Sequence, residues 1–186
     1  MAKTLILAKT APTDADSGEL LFVHGVDAVV LDDTYPVYEF HFYNLHPSVD
    51  AAKVMFQSSL DTGNNYNIST TTAFLQTYHS ESDGTPNFSI NATYSAGNST
   101  SDIYLSDGVG FDDDQSASGV MTLYDPSDTD FVKNFTCEVQ QSSAGNTCNI
   151  SRVAGYINTA TAVDAVRFNF DSGSIDLGTI TMFGVS

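Results

Sequence analysis

Tryptophan is absent from this chain, and basic residues are nearly so: six Lys plus Arg stand against 23 Asp plus Glu in 186 residues. Each scarcity excludes something. Paired carboxylates can cut a glycosidic bond, but without an indole on which to stack a sugar they do not suggest a glycosidase. Nucleic-acid binding neutralises phosphates with clustered Lys and Arg, which this chain cannot supply. A net charge of −17 is likewise repelled by an anionic membrane surface. Cysteine occurs only twice, at Cys137 and Cys148, too few for the four ligands of a structural zinc site. No run approaches the roughly 18 apolar residues of a membrane-spanning helix. The segment Leu5 to Ala8 is too short for a secretory leader and Lys9 interrupts it, so synthesis in a cytoplasm is expected. There is no Gly-x-Ser-x-Gly nucleophile elbow. Gly108 and Gly110 precede an acidic run that would repel phosphate, so no nucleotide site is indicated.

What is present belongs to sheet and turn. Hydrophobic residues make up 41% of the chain, and its aromatics are nine Tyr and twelve Phe. Charged residues are 16%, below the roughly 25% of ordinary soluble domains, and polarity comes from Ser, Thr and Asn instead. Tyr35 to Pro47 alternates clearly: Val37, Glu39, His41 and Tyr43 share one face, and Tyr38, Phe40, Phe42 and Asn44 the other. Further strands are expected at Lys53–Leu60, Thr70–His79, Gly119–Tyr124, Phe131–Val139 and Arg152–Tyr156, with a pair of short strands in Glu19–Leu31 broken at Gly25. Ser80–Thr100 reads as a loop, and Val49–Phe56 is the one stretch with helical spacing. Val166–Val185 alternates on both sides of Asp-Ser-Gly-Ser and reads as a hairpin. Strands at this spacing predict an all-β fold, an antiparallel β-sandwich or jelly-roll-like domain over residues 14–186. Residues 1–13 form a short N-terminal arm or its first strand.

Candidate chemistry is sparse. His24, His41, His46 and His79 are scattered, and mid-strand His41 reads as packed or exposed rather than catalytic. No catalytic residue and no cofactor is expected. Asp107, Asp112 and Asp114, with Asp113 in the same Gly-containing loop, are the candidate metal ligands, and calcium is the ion such a loop would take. The loop lacks the twelve-residue spacing and closing Glu of a calcium hand, so solvated turns are the competing reading. If Ser142 and Ser143 form a two-residue turn, Cys137 and Cys148 lie opposite each other and a cross-strand disulfide is possible. Residues 1–13 carry Lys3 and Lys9 and no acid, on a chain otherwise strongly acidic. Lys3, Leu5, Leu7 and Lys9 are therefore the candidate partner-binding residues. The acidity itself fits solubility or adaptation to saline water.

The stretch AVDAVRFNFDSGSIDLGTITMFGV, Ala162 to Val185, resembles the closing pattern I-x-x-I-R-F-x-x-x-S-G-N-I-x-x-G-x-I-x-L-Y-G-I. That pattern belongs to small virion structural proteins of tailed bacteriophages of marine bacteria and cyanobacteria. Arg167-Phe168, Ser172-Gly173, Ile175, Gly178, Ile180 and Gly184 fall on it; Ser174 stands for the usual Asn, and Met182-Phe183 for Leu-Tyr. DDTYPVYEFHFYNLHPSVD (Asp32–Asp50), VMFQSSLDTGNNY (Val54–Tyr66) and SGVMTLYDPSDT (Ser118–Thr129) resemble earlier strands and turns of the same family. The resemblance implies a β-sandwich in the virion with no catalytic residues. It implies a capsid decoration protein bound to the major capsid protein or other virion proteins, or alternatively a tail-fibre module contacting host-surface glycans. Virion proteins commonly form symmetric homo-oligomers, and a trimer is expected.

Overall fold

Tyr38, Phe40 and Phe42 are each buried on alternate positions of one strand, as their spacing predicts. In the computed structural model, which describes residues 2–15 and 17–186, that strand is one of twelve among the described residues. In chain order they are β1 (Lys3–Ala11), β2 (Leu20–Val23), β3 (Val37–Pro47), β4 (Val54–Ser59), β5 (Thr70–Ser80), β6 (Asn87–Ile90), β7 (Ile103–Tyr104), β8 (Ala117–Tyr124), β9 (Lys133–Ser142), β10 (Thr147–Ile157), β11 (Ala165–Phe170) and β12 (Ile175–Val185). They make two antiparallel sheets: eight strands in the order β1-β12-β3-β8-β9-β10-β5-β6, and four in the order β2-β11-β4-β7. The all-β antiparallel sandwich is thus the observed fold.

An aromatic cluster holds the sheets together. The Phe168 ring of β11 lies 5.2 Å from Phe40 and 5.2 Å from Phe42 across the core, and 5.7 Å from Phe56 and 6.2 Å from Phe22 within its own sheet. All five rings are buried to 1% exposure or less. Edge-on and tilted pairs of this kind add about 0.5–1.5 kcal/mol each beyond the area they bury.

The last two strands are not a hairpin. β11 pairs with β2 and β4 in the small sheet, whereas β12 pairs with β1 and β3 in the large one. The connection 171–174 is an arch that carries the chain over the core. Asp171 N donates to Lys53 O, and the Ser174 and Ser48 backbones bond across the arch. Gly173 takes φ +69° there, and a Cβ would come within 2.5 Å of Ser48 Oγ. The inward positions Val166, Phe168 and Phe170 and the later Ile180 and Met182 all reach the core, from opposite walls.

Other departures have local causes. Asn44 does not share the face of Phe42: it sits at φ +48°, a bulge shifts the register between Phe42 and Leu45, and Leu45 takes the buried position instead. Opposite it, Gly178 has φ +115°, and a Cβ would lie 2.6 Å from Asn44 O. The strand expected at Lys53–Leu60 is β4, with all six of its residues buried, and the overlapping helical spacing of Val49–Phe56, too short to stand alone, forms no helix. The presumed loop 80–100 contains β6, paired to β5. In Glu19–Leu31 only β2 is strand; Val29 and Leu31 are buried in irregular chain, with Leu31 N donating to His24 Nδ1. The β9–β10 turn centres on Gly145, two to three residues later than Ser142-Ser143 requires, so Cys137 faces Val153 and Cys148 faces Ser142. Cys137 is a buried free thiol and Cys148 an exposed one.

Candidate functional site

The four residues singled out near the N-terminus lie on β1, hydrogen-bonded along its length to β12; Met1 lies outside the described residues. Simple alternation would put Lys3, Leu5, Leu7 and Lys9 on one face. A bulge between Leu5 and Leu7 divides them. Lys3 and Leu5 stay on the outer face of the large sheet, while Leu7 turns toward the core and Lys9 goes with it. Both cations are already paired within the chain, Lys3 to Glu39 at 2.6 Å and Lys9 to Asp27 at 3.0 Å. Burial pushes the Glu39 carboxyl up, but hydrogen bonds from Lys3 and His41 outweigh it and hold the group below the usual carboxylate range.

Asp107, Asp112 and Asp114 do not converge. No group of three or more His, Cys, Asp or Glu side chains able to hold a metal ion occurs among the described residues. The acids work as turn-makers instead. Asp107 Oδ1 accepts Gly108 N, and the Asp112 carbonyl accepts Gln115 N. Asp128 accepts the Phe131 and Asp130 amides, which hold its carboxyl below the ordinary range. Asp61 is lowered in the same way by Asn65 and Ser59. A short carboxylate reaches amides two or three residues ahead, which explains why the turns of this chain carry so much Asp.

Two cationic sites, one part-buried and one fully buried, were not legible as such. Arg167 on β11 grips Asp102 with Nη2 at 2.7 and 2.9 Å, and its guanidinium lies 4.9 Å from the Tyr66 ring centroid. It therefore ties two long loops to the small sheet. Lys133 is fully buried and donates to the carbonyls of Phe131 and Thr159; burial pulls its pKa down.

The largest uncovered feature is the outer face of the eight-stranded sheet. Its outward positions include Val120, Thr122 and Tyr124 on β8; Asn134, Thr136 and Glu138 on β9; Arg152, Ala154 and Tyr156 on β10; Ala73 and Leu75 on β5; and Phe88 and Ile90 on β6. Phe88 is 72% exposed and Ile90 71%. A shallow depression of about 510 Å³ lies over β8, β9, β10 and β5, floored by Ala73, Ala154 and Thr136. A second, of about 490 Å³, continues it between Tyr124 and Tyr156.

Charge is nearly missing from this face. Up to the bulge at Asn44, its charged side chains are Lys3, Glu39, Glu138 and Arg152, two of each sign. Glu138 and Arg152 pair across strands at 2.5 Å. The face therefore adds nothing to the net −17, which resides on the loops and the other surfaces. Comparison of the chain with family models, with curated proteins and with solved structures returns no match.

Proposed function

We propose that this chain is a non-enzymatic virion structural protein of a tailed phage, a capsid decoration protein that works by protein–protein binding. One observation carries the reading: the acidic groups are segregated from a broad, neutral, outward sheet face. Acidic loops suit contact with water, and a flat face of Thr, Ala, Val and Tyr suits contact with protein. The likeness of residues 162–185 to the closing pattern of phage virion proteins supports the same reading. Lys3 and Leu5 lie at the β1 margin of this face, where Leu5 is 60% exposed, and the shell contact is assigned to that margin.

Deleting residues 1–13 is not a clean test, because removal of β1 bares the edge of β12 and takes Leu7 and Ala11 away from the core they pack against. Leu5→Asp is the better probe. The variant keeps the wild-type thermal midpoint and loses binding to particles lacking the native protein. Immunogold labelling of intact particles places the chain: label over the head agrees with decoration. Label confined to the tail tip transfers the assignment to the receptor-binding alternative. Undiminished particle binding by Leu5→Asp removes the β1 margin from the proposal.

A further inference from the structure

We infer that the outer face of the eight-stranded sheet is a self-association surface, occupied by a second copy of this chain related by a two-fold axis. The inference rests on the reading of this face as a contact surface and is independent of the virion assignment. Four observations lead to a second copy rather than another occupant.

The first is charge. Two copies at −17 each repel strongly through every surface except one that carries no net charge. The second is self-complementarity. A two-fold interface sets the same patch against itself, so each copy must offer both halves of every interaction. This face has equal numbers of cations and anions, and Glu138 and Arg152 are adjacent and can exchange partners across the axis. It also has both relief and recess: Tyr156 and Phe88 project beside a depression floored by Ala73, Ala154 and Thr136. The third is size. Seven inter-strand spacings of about 4.8 Å, by about 27 Å of strand, give on the order of 900 Å². A stable interface needs about 800 Å² per partner.

The fourth is that edge-to-edge association is obstructed. β1 is broken by its bulge and flanked by Lys3 and Lys9, and β6 at the far margin is four residues long. Sheets stack face to face at about 10 Å when the intervening side chains are small, as the Thr and Ala floor allows. A two-fold face also favours a dimer over the three-fold assembly expected from the family resemblance.

The test is sedimentation velocity on the purified full chain from 1 to 200 μM, in 50 mM and 500 mM NaCl. The expected result is a dimer whose dissociation constant falls at least threefold at the higher salt, because screening relieves the body's repulsion while the neutral face is little affected. Ala154→Arg, at an exposed position on the depression floor, weakens association at least tenfold with an unchanged circular dichroism spectrum. Glu138→Arg and Arg152→Glu each weaken it by several fold, and the double exchange restores it. A monomer throughout, a mass of three chains, or dimerisation by Ala154→Arg equal to that of the wild type overturns the inference. Loss of self-association in a protein that still binds particles removes this inference and leaves the proposed function standing. Loss of particle binding with the dimer intact does the reverse.

Discussion

Truncating Phe168 to Ala tests the account of the core at its centre. The ring is fully buried and lies within 5.2 to 6.2 Å, centroid to centroid, of four other buried rings drawn from both sheets. Phe→Ala in a core costs about 3–5 kcal/mol, and a site with this many rigid neighbours collapses poorly. The expected loss is therefore about 4 kcal/mol, from a total stability of about 5–15 kcal/mol. With a urea slope of about 2–3 kcal/mol/M, the unfolding midpoint falls by about 1.3–2 M. The thermal midpoint falls by about 8–16 °C. Phe168→Leu keeps much of the volume and loses far less. Phe88→Ala, at a 72% exposed position, changes stability by no more than about 0.5 kcal/mol. A loss below about 1 kcal/mol for Phe168→Ala would refute the cluster as the tie between the sheets.

Gly178→Ala costs at least about 2 kcal/mol by chemical denaturation, since φ +115° is strained for any side chain and the new Cβ meets the Asn44 carbonyl. A near-neutral result contradicts the bulge geometry. His46 gives a pH signature. Burial alone would lower its pKa, but Nδ1 bonded to Asp176 at 2.7 Å, with further help from the Phe111 carbonyl at Nε2, raises it above 6.5. A raised folded-state pKa means that the stabilisation is fully present below pH 6.5 and fades as pH rises through the folded value. The stability difference between wild type and His46→Gln should shrink across that window, and NMR titration of the ring checks the direction. A thiol reagent should modify one cysteine, Cys148, in the native protein and two after denaturation. Burial holds the Cys137 thiol protonated. Two fast-reacting thiols in the native state would contradict the β9–β10 register.

The sequence made the alternating strands plain wherever one side faced the core, as at Tyr38, Phe40 and Phe42. It could not say which sheet a strand joins, because Val166, Phe168 and Phe170 alternate identically in a hairpin and in an arch. Period-two reasoning also fails at each inserted residue. The bulge at Asn44 moved Leu45 inward, and the bulge before Leu7 split the four β1 residues between faces. The cysteine register failed for a related reason: a turn two to three residues off centre changes every partner. The grip of Arg167 on Asp102 spans 65 residues, and nothing local to either announces it. The neutral sheet face emerges only once eight strands are laid side by side, since Glu138 and Arg152 are neighbours in space and not in sequence.

The pairing of β1 with β12 brings Ala2 and Ser186 together, each backbone amide donating to the other's carbonyl at 2.8 and 3.1 Å. Whatever is attached at either end leaves the molecule from the same corner. Tension applied between the two ends meets this antiparallel pair at its first rung and opens it like a zip, one hydrogen bond at a time, rather than shearing many bonds at once. The protein is therefore mechanically soft when pulled by its ends and firm when gripped by a sheet face. A single-molecule stretching trace should begin with low-force release of the nine residues of β1.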